Sequence, residues 1–285
     1  MAIWDFDYSS ISSIARLLEE NGLGMTKKFG QNFLVSMSAL DRISALSGAC
    51  EGKRVWEVGP GIGALTTKLL QTGADVTAFE IDRGVCRILR EHAYVDVPNF
   101  TLVEGDALKT WKQVWAKQGT PDIICANLPY NVGSVFIASV IENRCIPQTM
   151  VFTLQSEVVD RICAKQGDEA FSGFSILTGI DYENSEAFKL KSGCFFPPPN
   201  VDSSVVLMRK RETPLVPDSE AKDFLELVRV LFAQRRKTVK NNLKATGKSS
   251  ADIDRALSEC GISPTERAER LGIDQILALK RSLHK

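Results

Sequence analysis

The sequence predicts an α/β fold, a mostly parallel sheet covered by helices, followed by a small all-helical C-terminal domain. Three observations predict it. Between residues 53 and 154, short runs that are apolar throughout alternate with amphipathic stretches, as strands buried on both faces do. A glycine-rich turn, Glu57-Val58-Gly59-Pro60-Gly61-Ile62-Gly63, closes the first apolar run and opens a helical pattern. Beyond Thr213-Pro214-Leu215-Val216-Pro217-Asp218 every pattern is helical.

The elements follow in order. Residues 10–21 place Ile11, Ile14, Leu17 and Leu18 on one helical face, with Gly22 just past the end. A basic and aromatic loop, Lys27-Lys28-Phe29-Gly30-Gln31-Asn32-Phe33-Leu34, leads to a second helix at about 37–47. Strands are expected at Arg54–Val58, Val76–Ile81, Phe100–Val103, Asp122–Ala126 and Thr149–Leu154, with helices near 63–72, 83–92, 110–117 and 132–142. Residues 184–191 and 202–210 read as two more strands, an antiparallel hairpin joined by Pro197-Pro198-Pro199. Helices at 219–233, 251–260 and 273–284 complete the chain, with Pro264 and Gly272 as breakers. The expected domains are therefore 1–212 and 213–285, and the second is marginal by size unless docked on the first.

Composition narrows the class. Of 285 residues, 44 % are hydrophobic and 25 % charged, which excludes a disordered, collagen-like or disulfide-scaffold chain. The 35 basic and 35 acidic residues cancel, so no global basicity announces a nucleic-acid partner. The balance is uneven along the chain: residues 213–285 hold 14 basic and 10 acidic residues, and residues 235–248 hold six basic residues and no acid. The seven cysteines are odd in number, widely spaced and without a C-x-x-C pair. That pattern predicts free thiols in a reducing compartment and no zinc site. With two histidines, no metal is expected. The first residues show neither a signal peptide nor an apolar span, so a cytoplasmic protein without a membrane partner is expected.

The glycine turn lets the backbone approach a ligand closely and presents unpaired helix N–H groups. Glu80 ends the next strand, 21 residues after Gly59, where a carboxylate accepts hydrogen bonds from both hydroxyls of a ribose. A nucleoside-containing cofactor follows. Gly59-x-Gly61-x-x-Ala64 also fits a dinucleotide fingerprint, which keeps an NAD-linked oxidoreductase as a rival. Two features weigh against it. The third strand ends in Glu104-Gly105-Asp106, a carboxylate placed to accept from an adenine amino group. The fourth runs into Asn127-Leu128-Pro129-Tyr130, whose parts suit an exocyclic amine. There the Asn127 side-chain oxygen and the Leu128 carbonyl each accept one N–H, which draws the nitrogen toward tetrahedral geometry and frees its lone pair. Pro129 stiffens the turn, and Tyr130 offers a ring to stack on a flat base. The rival also lacks a hydride site, since His92 lies in a helical pattern between early strands.

At these residues the chain resembles the rRNA adenine N6-dimethyltransferase family, the KsgA/Erm type. The matching pieces run in family order: Gln31-Asn32-Phe33-Leu34, the glycine turn, Glu80-Ile81-Asp82, Gly105-Asp106-Ala107 and Asn127-Leu128-Pro129-Tyr130. Phe195-Phe196-Pro197-Pro198-Pro199-Asn200-Val201-Asp202-Ser203 and the segment from Leu231 to Leu243 complete the series. The resemblance implies a Rossmann-like class I methyltransferase sheet, mostly parallel with a C-terminal antiparallel strand, and S-adenosyl-L-methionine as cofactor. It implies that Asn32 and Leu34 contact the cofactor from the N-terminal loop, with Gly59 and Gly61 near the methionine portion, Glu80 at the ribose and Asp106 at the adenine. Asn127 would touch both cofactor and target amine. Tyr130 and an aromatic two residues before the first proline, Phe195, would sandwich a flipped adenine. Phe196 is aromatic too, and which ring stacks stays open. The proline run and the Arg235-Arg236-Lys237-Thr238 to Asn241-Asn242-Leu243 block look like the KsgA branch, which modifies two adjacent adenosines near the end of small-subunit rRNA. The Erm branch, acting on large-subunit rRNA, is the alternative, as is a ribosome-assembly factor whose catalysis is secondary. For RNA phosphates the candidates are Arg235, Arg236, Lys237, Lys240, Lys244 and Lys248, with hydrogen-bonding help from Asn241 and Asn242, and Lys27 and Lys28 near the pocket entrance. A monomer that binds small-subunit rRNA or its precursor particle is expected.

Overall fold

The computed structural model describes residues 3–23 and 32–284. The strands are β1 (Phe33–Leu34), β2 (Arg54–Val58), β3 (Asp75–Glu80), β4 (Phe100–Glu104), β5 (Ile123–Asn127), β6 (Thr149–Gln155), β7 (Tyr182–Leu190), β8 (Phe195–Phe196) and β9 (Ser203–Lys210). The helices are α1 (Ile11–Glu20), α2 (Met37–Ser47), α3 (Ala64–Gln71), α4 (Arg83–Ile88), α5 (Ala107–Gln118), α6 (Gly133–Glu142), α7 (Ser156–Cys163), α8 (Gly173–Gly179), α9 (Asp218–Phe232), α10 (Val239–Leu243), α11 (Ser250–Glu259) and α12 (Ile273–Leu283).

The apolar runs form the parallel strands of one seven-stranded sheet in the order β4-β3-β2-β5-β6-β9-β7, with β4 at its edge. The pairs β2/β3, β3/β4, β2/β5 and β5/β6 are parallel, and β9 lies antiparallel to β6 from Thr149↔Arg209 to Gln155↔Ser203. Ile123 to Ala126 and Met150 to Leu154 are buried without interruption, so the central strands carry no polar face. The α/β architecture read from the sequence is the observed one. The two late strands are neighbours in the sheet, but more than a turn connects them: β8 lies between them and pairs antiparallel with β1, Leu34 opposite Phe195 and Phe33 opposite Phe196.

Helix boundaries follow local chemistry. Asp82 caps α4 by accepting from Gly84 N at 2.8 Å and Val85 N at 3.2 Å, and Asp106 caps α5 by accepting from Leu108 N at 3.0 Å. The helix expected over 83–92 is α-helical to Ile88 and continues as a wider π turn, Leu89–Ala93.

Two compact units divide the chain. The first takes in the described residues up to Val140, Cys145–Val159 and Ser185–Arg209; the second takes Ile141–Arg144, Asp160–Asn184 and the chain from Lys210 onward. The sequence boundary at 212/213 follows the chain, whereas packing places 160–184 with the C-terminal helices. The physical reason is a local one. At Gly173 of α8 an added Cβ would touch Val228 and Phe232 of α9 at 3.4 Å, and Phe171 meets Phe232 edge-on at 6.3 Å. The Arg144 guanidinium bonds the buried Asp181 carboxylate at 2.6 and 2.9 Å and also pairs with Asp218. Among the described residues no helix is long and apolar enough to cross a membrane, and no cluster of three His, Cys, Asp or Glu side chains is placed to hold a metal.

Candidate active site

Five parallel strands put their C-terminal ends on one edge, and the chain reverses its direction of travel across the sheet between β2 and β5. Ligands of open α/β sheets bind at such a switch point. A cavity of about 350 Å³ lies there, within the first unit.

One side of the cavity is built by β2 and β3. The turn after β2 bends through Gly59 at φ +69°, and a Cβ there would sit 3.4 Å from Pro129 Cδ. The backbone conformation thus disfavours a side chain here, and Pro129 of the opposite wall stands in van der Waals contact with the position it would take. Gly61 N donates to Glu80 Oε2 at 3.3 Å, and Asp82 N to Glu80 Oε1 at 2.9 Å. Burial pushes the Glu80 carboxyl up to about 7, with these backbone donors pulling the other way. Beneath it, Glu57 also lines the cavity. It is 1 % exposed, and its Oε2 has no hydrogen-bond partner. Burial pushes Glu57 up to about 8; the Thr66 hydroxyl counteracts part of this without reaching hydrogen-bond geometry, and the Glu80 charge adds to it. Asp106, at the end of β4, lines the cavity while capping α5, whereas Glu104 pairs outward with Arg83 and Arg90.

The other side is built by β5 and β1. Asn127 ends β5, and its Nδ2 donates to the backbone carbonyl of Asn32 at 3.1 Å. That bond engages the donor end of the amide and leaves Oδ1 as its acceptor end. Leu128, Pro129 and Tyr130 continue the wall, and Pro129 O accepts from Val132 N and Gly133 N as α6 starts. The Tyr130 hydroxyl shares a 2.7 Å hydrogen bond with Ser203 Oγ at the start of β9. Leu34 and its ladder partner Phe195 both line the cavity, and Phe195 is 4 % exposed. Phe196 is paired with Phe33 and is not a wall residue.

All the expected cofactor and base-contact positions, Asn32, Leu34, Gly59, Gly61, Glu80, Asp106, Asn127 to Tyr130 and Phe195, thus surround one space. The expected phosphate contacts are placed less uniformly. Arg235, Arg236, Lys237 and Lys244 are exposed in the second unit, and Arg235 donates to the Glu169 carbonyl at 3.1 Å. Lys240 is paired with Asp254 at 2.6 Å. Asn242 corrects the expectation of a surface contact: it is buried, and its amide bonds Leu231 O and Gln234 O, tying α10 to the end of α9. Lys27 and Lys28 lie outside the described residues. Sequence reasoning gave no role to Glu57 or Ser203, although both stand inside motifs it singled out, and it gave none to Tyr94, which no motif contains.

A family model described as ribosomal RNA adenine dimethylase matches residues 23–285. A ribosomal RNA small subunit methyltransferase A of Treponema denticola is 39 % identical over 277 residues, covering 96 % of this chain and 94 % of its own. One from Lactococcus lactis is 38 % identical over 282 residues, 96 % of each chain. Among solved structures, a dimethyladenosine transferase from Plasmodium falciparum superposes with a TM-score of 0.70 at 24 % identity, over 85 % of this chain and 94 % of that one. This last likeness is one of fold.

Proposed function

The chain belongs to the ribosomal RNA adenine dimethylase family, and we propose that it transfers two methyl groups from S-adenosyl-L-methionine to the N6 amine of each of two adjacent adenosines near the 3′ end of small-subunit rRNA, as a step in small-subunit assembly. The observation that carries the reading is Asn127, whose amide nitrogen is engaged by the Asn32 carbonyl and which lines one cavity with Glu80, Asp106, Tyr130 and Phe195.

These residues fit the cofactor. Glu80 is a buried carboxylate beside the glycine turn, suited to ribose hydroxyls; Asp106 is an acceptor at the neighbouring strand end; the half-exposed Ile81 adds an apolar surface for a purine. When bound, the cofactor supplies a methyl group already activated by its sulfonium. The protein's part is positioning and electrostatics. In the first transfer Asn127 Oδ1 and the Leu128 carbonyl would accept the two N6 hydrogens, and in the second one of them would accept the hydrogen that is left, which favours the pyramidal amine over the planar ground state. Glu80 and Asp106 would hold the cofactor, and Asn127 and Leu128 would hold the N6 amine with its lone pair available to an incoming methyl group. Tyr130 and Phe195 offset the cost of unstacking the base, a few kcal/mol. Catalysis is assigned to the unit holding the cavity, and the sequence-independent grip on phosphates to the exposed Arg235, Arg236, Lys237 and Lys244.

The small subunit is favoured because the curated relatives at 38–39 % identity are named for it. The test is transfer of label from S-adenosyl-L-methionine to small subunits taken from cells lacking the modification, with digestion to nucleosides. Dimethyladenosine confined to small-subunit RNA is the expected result. Label on large-subunit RNA alone would overturn the choice of substrate, and cofactor binding without label on either would point to a binding role.

A further inference from the structure

The glycine turn is held from behind by a hydrogen-bond chain that starts in the segment ahead of α1. Tyr94 Oη donates to Gly63 O at 2.7 Å, Thr67 Oγ1 lies 2.8 Å from Tyr94 Oη, and Tyr8 Oη lies 2.9 Å from Thr67 Oγ1. Because a hydroxyl donates once, the direction is set: Tyr94 gives its proton to Gly63 O, so it accepts from Thr67, and Thr67 accepts from Tyr8. Gly63 O accepts from Thr67 N as well, at 2.8 Å, so both links converge on the carbonyl where the turn becomes α3.

Two further features tie this chain to the turn. Gly63 adopts φ +95°, and a Cβ on it would lie 2.3 Å from Tyr94 Oη, so the phenol occupies space that any other residue would fill. Tyr94 follows the π turn Leu89–Ala93, the kind of local widening that re-aims a side chain. At the far end, Tyr8 is 3 % exposed and belongs to an aromatic cluster with Trp4 and Phe6, whose rings stack at 4.6 Å. Burial raises both phenols above their ordinary range, so they stay neutral donors.

We propose that Tyr8 and Tyr94 are positioning residues for the cofactor turn, so that the N-terminal segment sets cofactor affinity through Thr67 and Gly63. The inference rests on the cofactor reading given above. Tyr8→Phe and Tyr94→Phe each remove one hydroxyl and keep the ring. Calorimetric titration of the full chain with S-adenosyl-L-methionine should show Kd raised about 3- to 10-fold in each variant, with the KM for small subunits unchanged. In the double variant the loss should match that of Tyr94→Phe alone, because Tyr8 acts only through the chain. Thermal unfolding separates this from a merely structural role, which would lower Tm and leave Kd in place. Wild-type Kd in both variants, or additive losses in the double variant, would overturn the proposal. Failure of the wild-type chain to bind S-adenosyl-L-methionine would instead overturn the cofactor reading.

Discussion

Asn127 and Asn32, 95 residues apart in sequence, are joined by one hydrogen bond, from the Asn127 side-chain nitrogen to the Asn32 carbonyl at 3.1 Å. The bond engages the amide nitrogen and leaves Oδ1 for the acceptor role proposed above. Asn127→Ala removes both, and should lower the rate of methyl transfer about 10²- to 10³-fold with the thermal midpoint nearly unchanged. Asn127→Asp keeps an acceptor but turns a second oxygen toward the Asn32 carbonyl, and should also lose at least about tenfold. Single-turnover rates on small subunits check both, and wild-type rates in folded Asn127→Ala protein would remove Asn127 from the chemistry.

If Glu80 holds the ribose as proposed, cofactor binding should depend on pH. Burial raises its carboxyl to about 7, so the free protein holds a proton there below neutrality. Ribose hydroxyls donate to the ionised form and pull the equilibrium toward it. Cofactor affinity should therefore fall as pH drops below 7, approaching about tenfold per pH unit, and level off above 8. Titrations between pH 5.5 and 8.5 measure this. Glu80→Gln should bind more weakly at pH 8 and lose the slope; a slope that survives the substitution belongs to another group.

The wall residue Tyr130 is held by Ser203 through a 2.7 Å hydrogen bond between their hydroxyls. Tyr130→Phe and Ser203→Ala each free the ring to tilt, and each should raise KM for the RNA about 3- to 10-fold without altering the Kd for the cofactor. The double variant should be no worse than either single one. Tyr130→Ala, which removes the ring, should cost about 1–3 kcal/mol of base binding.

The exposed cations of the second unit should act through salt. Arg236→Ala combined with Lys237→Ala should weaken RNA binding, flatten the dependence of log K on log salt by about one unit per lost phosphate contact, and leave cofactor binding alone. An unchanged salt slope would place the RNA elsewhere.

The sheet was legible in the sequence because its central strands are apolar on both faces, and Arg54–Val58 is a strand to the residue. Much of the cavity lining was legible for a related reason: Gly59, Glu80, Asp106 and Asn127 each stand at or just past the C-terminal end of a sheet strand, and parallel pairing sends all four to one edge. What escaped depends on contacts distant in sequence or on departures from regular period. The β1/β8 pair is two residues long on each side and carries no periodic signal. The π turn before Tyr94 breaks the helical period rather than extending it. Asn242 reads as a polar surface residue, and only the carbonyls at the end of α9 explain its burial. Residues 160–184 hold short helices whose apolar partners, Val228 and Phe232, lie some fifty residues further on.

The short pairing of β1 with β8 also makes the cavity depend on counting. Strand side chains alternate between faces, so moving one strand by a single residue exchanges inward for outward. Leu34 and Phe195 stand directly opposite each other in this pairing, and both line the cavity. Adding or removing one residue in Lys191–Cys194 would turn Phe195 away from Leu34 while leaving every side chain of the motif intact. The site is therefore specified by the number of residues in that connection as well as by their kinds.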